Sequence, residues 1–523
     1  MTSRGTGRHK SPGTAAALLA AAAIVAACSI TTISTPPVTT SAPSSTTGLS
    51  TTSTTAPSIP TKATLAWHAC NTRFRCASLR VPISYANPSE GTIKIAVIEL
   101  LSTGSQKTAR DLVMNPGGPG ASGLGFLEQT WSAFPSTLRQ TFNLVSFDPR
   151  GVGQSAPVVC LTPAGLRQWI GVQPAPGTPA QISQVETAAK AFVATCAKSQ
   201  PADVLANLST AVTAHDLDRL RAALGQPRLD YLGFSYGTYL GALYAQAFPE
   251  NVGALVLDGA IDPSLTTAEI DVQQAQGFEV DLHDFFTWCA TNSSCTSELP
   301  DASADYSEFI GEVKRHDILA KLSTSLGGNQ MIGYPVALEG IFSTLYTINA
   351  WPTLAQAIAD GLQGDGTLVT ELAYSFAGFN QDGTVSNELS GEMAVLCLDR
   401  PVPALSDYPK LASQFGAQAP DFGAPEAWGT LPCNFWPEPP TGKPMKVHLT
   451  QALHVLVVGS THDPATPYAW SKSLAEQVDG AVLLTRTGDG HTGYFSSSCV
   501  RSWVDGFLIS LDTPPKGTAC ASD

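Results

Sequence analysis

The run Gly233-Phe234-Ser235-Tyr236-Gly237 constrains the fold of this chain more than any other. It sits where a short apolar strand pattern, Leu229 to Leu232, hands over to a small-residue helix pattern, Thr238 to Phe248. A serine at such a junction can be held on a sharp, strained turn with its hydroxyl exposed, which is what a nucleophile needs. The two glycines answer a steric demand. Side chains two residues before and two after the serine would clash with the neighbouring strand or helix. Chance alone supplies roughly 0.3 such matches in a chain of this glycine and serine content. A Gly-rich turn with a solvent-facing serine would look the same, so the rest of the chain must decide.

The surroundings read as alternating strands and helices. Ile93 to Leu101 is a strand-like apolar run. Leu112-Val113-Met114 is a second and runs into Asn115-Pro116-Gly117-Gly118-Pro119-Gly120. Phe142 to Phe147 is a third and ends in Asp148-Pro149-Arg150-Gly151. Ala211 to Leu224 is helical, with Leu217, Leu220 and Leu224 on one stripe and Gly225 as its stop. Val252 to Leu257, His454 to Val458 and Ala481 to Thr485 complete the strand set. This alternation predicts an α/β fold with a mostly parallel central sheet covered on both faces. Between them, residues 263–440 hold helical stretches without βα alternation and read as a mainly helical cap insertion, expected over the carboxyl ends of the strands. The predicted organisation is a signal segment at 1–27, a tether at 28–64, catalytic core at 65–262 and 441–523, and the cap between.

The N-terminus reads as an export signal. Arg4, Arg8 and Lys10 precede the almost wholly apolar Thr14 to Ala27, too short to span a bilayer comfortably but suited to a signal h-region. The segment ends Val25-Ala26-Ala27-Cys28, like a bacterial lipobox with Cys28 as the lipidated residue. Ordinary cleavage after an alanine, with Cys28 incidental, is the competing reading. Ser29 to about Thr64 is Ser, Thr, Pro and Ala with hardly a charge, a composition that cannot bury a core. The ten remaining cysteines are Cys70, Cys76, Cys160, Cys196, Cys289, Cys295, Cys397, Cys433, Cys499 and Cys520. An even number in an exported chain predicts disulfides. Pairing between sequence neighbours is favoured, because Cys70/Cys76 and Cys289/Cys295 enclose short loops. No paired CxxC spacing supports zinc. A formal charge of −14 argues against a nucleic-acid surface.

Acyl transfer by a serine needs a base to take its proton and an acid to orient that base. In a fold of this kind the chain order is serine, acid, histidine, each in a loop after a strand. Of nine histidines, only His491 follows the final strand pattern, in Asp489-Gly490-His491-Thr492-Gly493-Tyr494. Taken alone it could be a solvated loop histidine; chain order makes it the candidate base. Asp463 directly follows the His454 to Val458 strand region and is the favoured acid, though an aspartate before a proline is also a common turn residue. Asp489 is the rival, but in the same turn as His491 it is badly placed to reach Nδ1. His462 is expected as a packing or hydrogen-bonding neighbour. The oxyanion needs backbone donors: the Tyr236 amide, and one from the Gly117-Gly118 loop, with Gly118 slightly preferred.

These residues lie in five blocks, VMNPGGPGASG, FDPRGVGQS, LDYLGFSYGTYLGALYAQAFP, LVLDGAIDP, and THDPATPY with GDGHTGY, spread over residues 112 to 494. In them the chain resembles the exported tripeptidyl aminopeptidases, α/β-hydrolases related to proline iminopeptidases, and most of all the mycobacterial and actinobacterial cell-envelope members. The resemblance implies a serine exopeptidase releasing short peptides from free N-termini, with no metal or cofactor, acting on a peptide or protein substrate. Some relatives are carboxylesterases, so an esterase acting on envelope acyl esters stays open, as does a non-catalytic peptide-binding lipoprotein. A lipid-anchored monomer is expected. One departure is Asn115-Pro116, where proline iminopeptidases carry a histidine; this favours the tripeptidyl branch. Such enzymes hold the substrate ammonium with acidic cap residues. Glu279, Asp281 and Glu392 lie in the insertion, but no motif marks them and a solvated helix face accounts for each.

Overall fold

The structure, a computed structural model, describes residues 64–449 and 453–523. The signal segment, Cys28 and all but the last residue of the tether lie outside the described residues. Ten strands form one sheet in the spatial order β1-β2-β3-β5-β4-β6-β7-β10-β11-β12. They are β1 (His68–Ala69), β2 (Arg75–Pro82), β3 (Thr92–Leu100), β4 (Arg110–Asn115), β5 (Phe142–Phe147), β6 (Leu229–Phe234), β7 (Val252–Asp258), β10 (His454–His462), β11 (Val482–Asp489) and β12 (Ala519–Ala521). The pairings from β1 through β3 to β5 are antiparallel; those from β5 through to β12 are parallel. β8 (Ile318–Lys321) and β9 (Asn329–Ile332) form a separate antiparallel hairpin within the insertion.

Successive residues of a strand point to opposite faces, and both faces here are apolar. Val113, Val145, Leu255 and Val457 pack into the core on one side; Leu112, Leu144, Val256 and Leu456 pack on the other. That explains why these strands read as unbroken apolar runs. The sheet has three more strands than the apolar runs predict. β2 carries Arg75 and Arg80 at solvent-facing or half-buried positions, and β1 and β12 are too short to leave a periodic signal.

The insertion is mainly helical and has its own core around Phe278, Phe285, Phe309, Ile341 and Trp351. Leu166 and Ile170, from a helix preceding the serine turn, belong to that core. Conversely Met393, Ala394 and Leu398 of the Glu388–Asp399 helix pack with the sheet. The long Thr267–Thr291 helix opens with a capping box in which Thr266 and Glu269 satisfy each other's backbone amides. At Gly277 this helix presses on the loop after β10 so closely that a Cβ would sit 2.4 Å from the Pro464 carbonyl oxygen.

The disulfides join Cys70–Cys76, Cys160–Cys196, Cys289–Cys295, Cys397–Cys433 and Cys499–Cys520. Every cysteine among the described residues is paired with its nearest cysteine neighbour in sequence, as the short loops predicted.

A second feature holds the sheet to its helices. Arg150, from the Asp148-Pro149-Arg150-Gly151 turn, is buried with Asp216, both side chains 1% exposed. Nε and Nη2 each donate to Asp216 at 2.7 Å, and the remaining hydrogens go to the Pro82, Ile83 and Asn207 carbonyls. Tyr85 donates to the same carboxylate.

Candidate active site

Ser235 caps the Tyr236–Ala247 helix at the end of β6 with φ 53° and ψ −125°, a region non-glycine residues rarely occupy. The strain is held by packing. A Cβ at Gly233 would lie 2.5 Å from the Gly237 oxygen, and one at Gly237 would lie 2.7 Å from the Asn115 oxygen. Ser235 is half-buried while every neighbour from Leu229 to Ala242 is buried. The hydroxyl carrier is therefore the one opening in a packed run, at the positive end of a helix.

His491 and Asp463 come together from the ends of β11 and β10. His491 Nδ1 lies 2.8 Å from Asp463 Oδ1. That carboxylate also accepts from the amides of Ala465, Thr466 and Thr492, so its side chain is locked and fully buried. With the Nδ1 proton given to Asp463, Nε2 keeps its lone pair, and it is buried without a partner. Asp489 instead bonds His462, at 2.7 Å. The His491 amide donates to the Tyr346 carbonyl, and the Tyr346 ring stands edge-on to the imidazole at 5.7 Å. Ser235 and His491 flank one strand end: the Ser235 amide donates to the Asp258 carbonyl, and a Cβ on the next residue, Gly259, would be 3.2 Å from His491 Cε1.

The Gly117-Gly118 loop folds over the serine. A Cβ on Gly117 would lie 2.9 Å from Ser235 Cβ and 3.1 Å from the Tyr236 nitrogen. The Gly117 amide is committed to the Asn115 side chain. This leaves Gly118 preferred over Gly117 as the loop's donor.

Above these residues four glutamates of the insertion converge: Glu339, Glu388, Glu392 and Glu426. All are half-buried. Burial pushes the Glu339 carboxyl up to about 7 and those of Glu388, Glu392 and Glu426 up to about 8. Repulsion from Glu388 and Glu339 adds to the rise at Glu392, and from Glu339 and Glu392 at Glu426. Among the described residues no cation and no hydrogen-bond donor offsets it in any of the four. The helix that carries Glu388 and Glu392 packs on the Gly-rich loop, and the quartet lies around Tyr346. A Cβ on Gly120 of the Gly-rich loop would be 2.2 Å from the Glu388 backbone carbonyl oxygen and 2.8 Å from the Glu392 backbone nitrogen, and Tyr346 feels the charges of Glu426, Glu392, Glu339 and Asp463.

Residues 112–298 match the alpha/beta hydrolase fold family, and residues 419–520 match the TAP-like protein family. The chain is 33% identical to serine protease Hip1 of Mycobacterium tuberculosis over 85% of its own length and 87% of that protein's. It is 35% identical to carboxylesterase B of Mycobacterium tuberculosis, covering 86% of each. The chain belongs to the TAP-like α/β-hydrolases. A third relative, the tripeptidyl aminopeptidase of Streptomyces coelicolor, is 31% identical over 86% of this chain and 83% of that one. Like other TAP-like α/β-hydrolases, the chain is a serine hydrolase.

In this TAP-like α/β-hydrolase several residues matter that the sequence did not single out. Asp258 accepts the amides of Gly493 and Tyr494 and so clamps the histidine turn; burial pushes its carboxyl up to about 6. Its only sequence signal is its place at the end of a strand. Glu339, Glu388 and Glu426 were missed beside Glu392. Glu279 and Asp281 do not lie on a solvated face. Glu279 is buried and accepts the Asp421 amide. Asp281 is 0% exposed, and burial together with the charges of Asp489, Asp463 and Asp284 pushes its carboxyl up to about 9.

Proposed function

We propose that this chain is a tripeptidyl aminopeptidase-like serine exopeptidase of the cell envelope, exported and anchored through Cys28. Ser235 attacks the scissile carbonyl, and His491 Nε2 takes its proton. Asp463 holds the imidazole and stabilises its cationic form. The amides of Tyr236 and Gly118 carry the oxyanion. The tetrahedral intermediate collapses to an acyl-enzyme as His491 protonates the leaving amine, and water then releases the acyl peptide by the same path. No step calls on a metal or cofactor.

The observation that carries the peptidase reading is the glutamate quartet. Four carboxylates without a cation, beside the serine and histidine loops, make a receptor for an ammonium group. Burying a peptide α-ammonium among them relieves their repulsion, whereas an acyl ester offers no charge to do so. The relatives named serine protease and tripeptidyl aminopeptidase support the same reading. The relative named carboxylesterase B supports an esterase with the same catalytic residues.

A fluorophosphonate probe is expected to label Ser235 covalently, with labelling lost in Ser235→Ala and turnover reduced by about 10⁴-fold or more. Turnover of a free-amine tripeptide anilide and its N-acetylated form separates the substrates. The exopeptidase cleaves the free amine alone; equal cleavage of both, or of acyl esters only, assigns the esterase. Cys28→Ala is expected to leave the membrane fraction, and retention there with unchanged mobility would remove the lipid anchor from the proposal.

A further inference from the structure

A second polar cluster includes the chain neighbours of Asp463 and His491, and the proposed reaction does not use it. Asp284, His462 and Asp489 come from the Thr267–Thr291 cap helix and the ends of β10 and β11, and one ligand atom of each lies within 4.8 Å of the others. His462 Nδ1 is 2.7 Å from Asp489 Oδ1 and 3.0 Å from Asp284 Oδ2. One ring proton satisfies only one of them. It goes to Asp489, and Asp284 Oδ2 is left buried without a hydrogen bond.

Asp281 is the independent observation. It precedes Asp284 by one helical turn and shares its face. It is fully buried, both carboxylate oxygens lack a hydrogen-bond partner among the described residues, and the charges that act on it most strongly are Asp489, Asp463 and Asp284. The permanent cation present is Arg486, and its guanidinium is occupied by Ser460, Ser522 and the Asp489 and Gly490 carbonyls. Asp463 is already matched by His491. Three carboxylates therefore face one spent guanidinium and one imidazole, and orphaned buried oxygens of this kind are costly without a counter-charge.

We infer that Asp284, His462 and Asp489, backed by Asp281, form a binding site for a divalent transition-metal cation that ties the cap helix to the ends of β10 and β11. One imidazole nitrogen among carboxylate oxygens is a donor set suited to zinc rather than calcium, which prefers oxygen alone. On binding, the Nδ1 proton of His462 leaves to solvent and the lone pair goes to the ion. The ion would sit one residue from Asp463 and two from His491 along the chain. It would thus fix the cap against both catalytic loops without touching substrate. This site does not depend on which bond the enzyme cleaves.

The test is calorimetric titration of ZnCl₂ into chelator-treated protein, with melting temperature read in parallel. One saturable equivalent and a raised melting temperature are expected. Asp284→Asn and His462→Gln should each weaken binding by about 10–100-fold or more, while His283→Gln, at an exposed neighbouring histidine, should not. Asp281→Asn should leave the metal-free melting temperature unchanged or higher yet remove most of the zinc-induced rise. This opposite response keeps the test decisive if the ligand variants fold poorly. No saturable binding overturns the inference. So does binding that survives both ligand variants, and so does binding lost in Glu392→Gln instead, which would assign the ion to the glutamate quartet.

Discussion

Arg150–Asp216 is fully buried and the glutamate quartet half-buried, and the two groups of charges have been treated in opposite ways. Around Arg150 every donor has an acceptor: two carboxylate oxygens, three backbone carbonyls and a tyrosine hydroxyl close the network. In the quartet like charges face one another and nothing answers them. A completed buried network serves the fold, because removing any member strands the rest. An incomplete one of a single sign costs the free protein stability, and under the proposed function the missing partner is the substrate ammonium.

The sharpest way to break this contrast is in the closed network. Arg150→Met leaves Asp216 buried and unpaired and strips three carbonyls, at an expected cost of about 3–5 kcal/mol; a denaturant melt reads it. The same measurement on Glu392→Gln should show no loss and a gain at pH 8. Its penalty falls on binding instead. KM for a free-amine tripeptide should rise about 10–100-fold, matching a charged hydrogen bond of about 1.5–3 kcal/mol, with kcat little changed.

Acidity provides a third test. The quartet's carboxyls are raised in the folded chain, so the stability linked to them is full below the ordinary carboxylate range, near about 4.3. It is lost as pH rises through about 7 to 8. The melting temperature of the free enzyme should therefore fall between pH 5.5 and pH 8.5, and Glu392→Gln combined with Glu426→Gln should flatten that fall. A saturating free-amine peptide should flatten it as well. The smallest effect is expected at Glu279, on the Thr267–Thr291 cap helix, which carries none of the quartet, and already holding the Asp421 amide. Glu279→Gln should leave KM within about twofold, and a large rise there would show that any cap carboxylate serves.

The same contrast marks what the sequence could disclose. Strands buried on both faces announce themselves as apolar runs, so β3 to β7, β10 and β11 are legible, whereas β2 hides behind its arginines. Ser235, Asp463 and His491 are legible because each follows a strand and the order of three loops is restrictive. The quartet is not, because it is assembled by packing from three helices separated by long stretches of chain. One trace of it was present. Glu388 and Glu392 are like charges one helical turn apart, an arrangement that weakens an isolated helix. Asp281 and Asp284 repeat the pattern. Like charges stacked on a helix that later proves buried deserve notice before a solvated face is assumed.

The disulfide connectivity has a consequence for how the chain is made. Each bridge joins a cysteine to the next one along, and no loop encloses another. Short loops close at low entropic cost. A chain delivered from its N-terminus therefore has each correct partner at hand before the following pair emerges. If the chain is exported as proposed, oxidation can keep pace with its emergence and finish without reshuffling, even though the catalytic domain itself is interrupted and must wait for residues beyond 453 to complete its sheet.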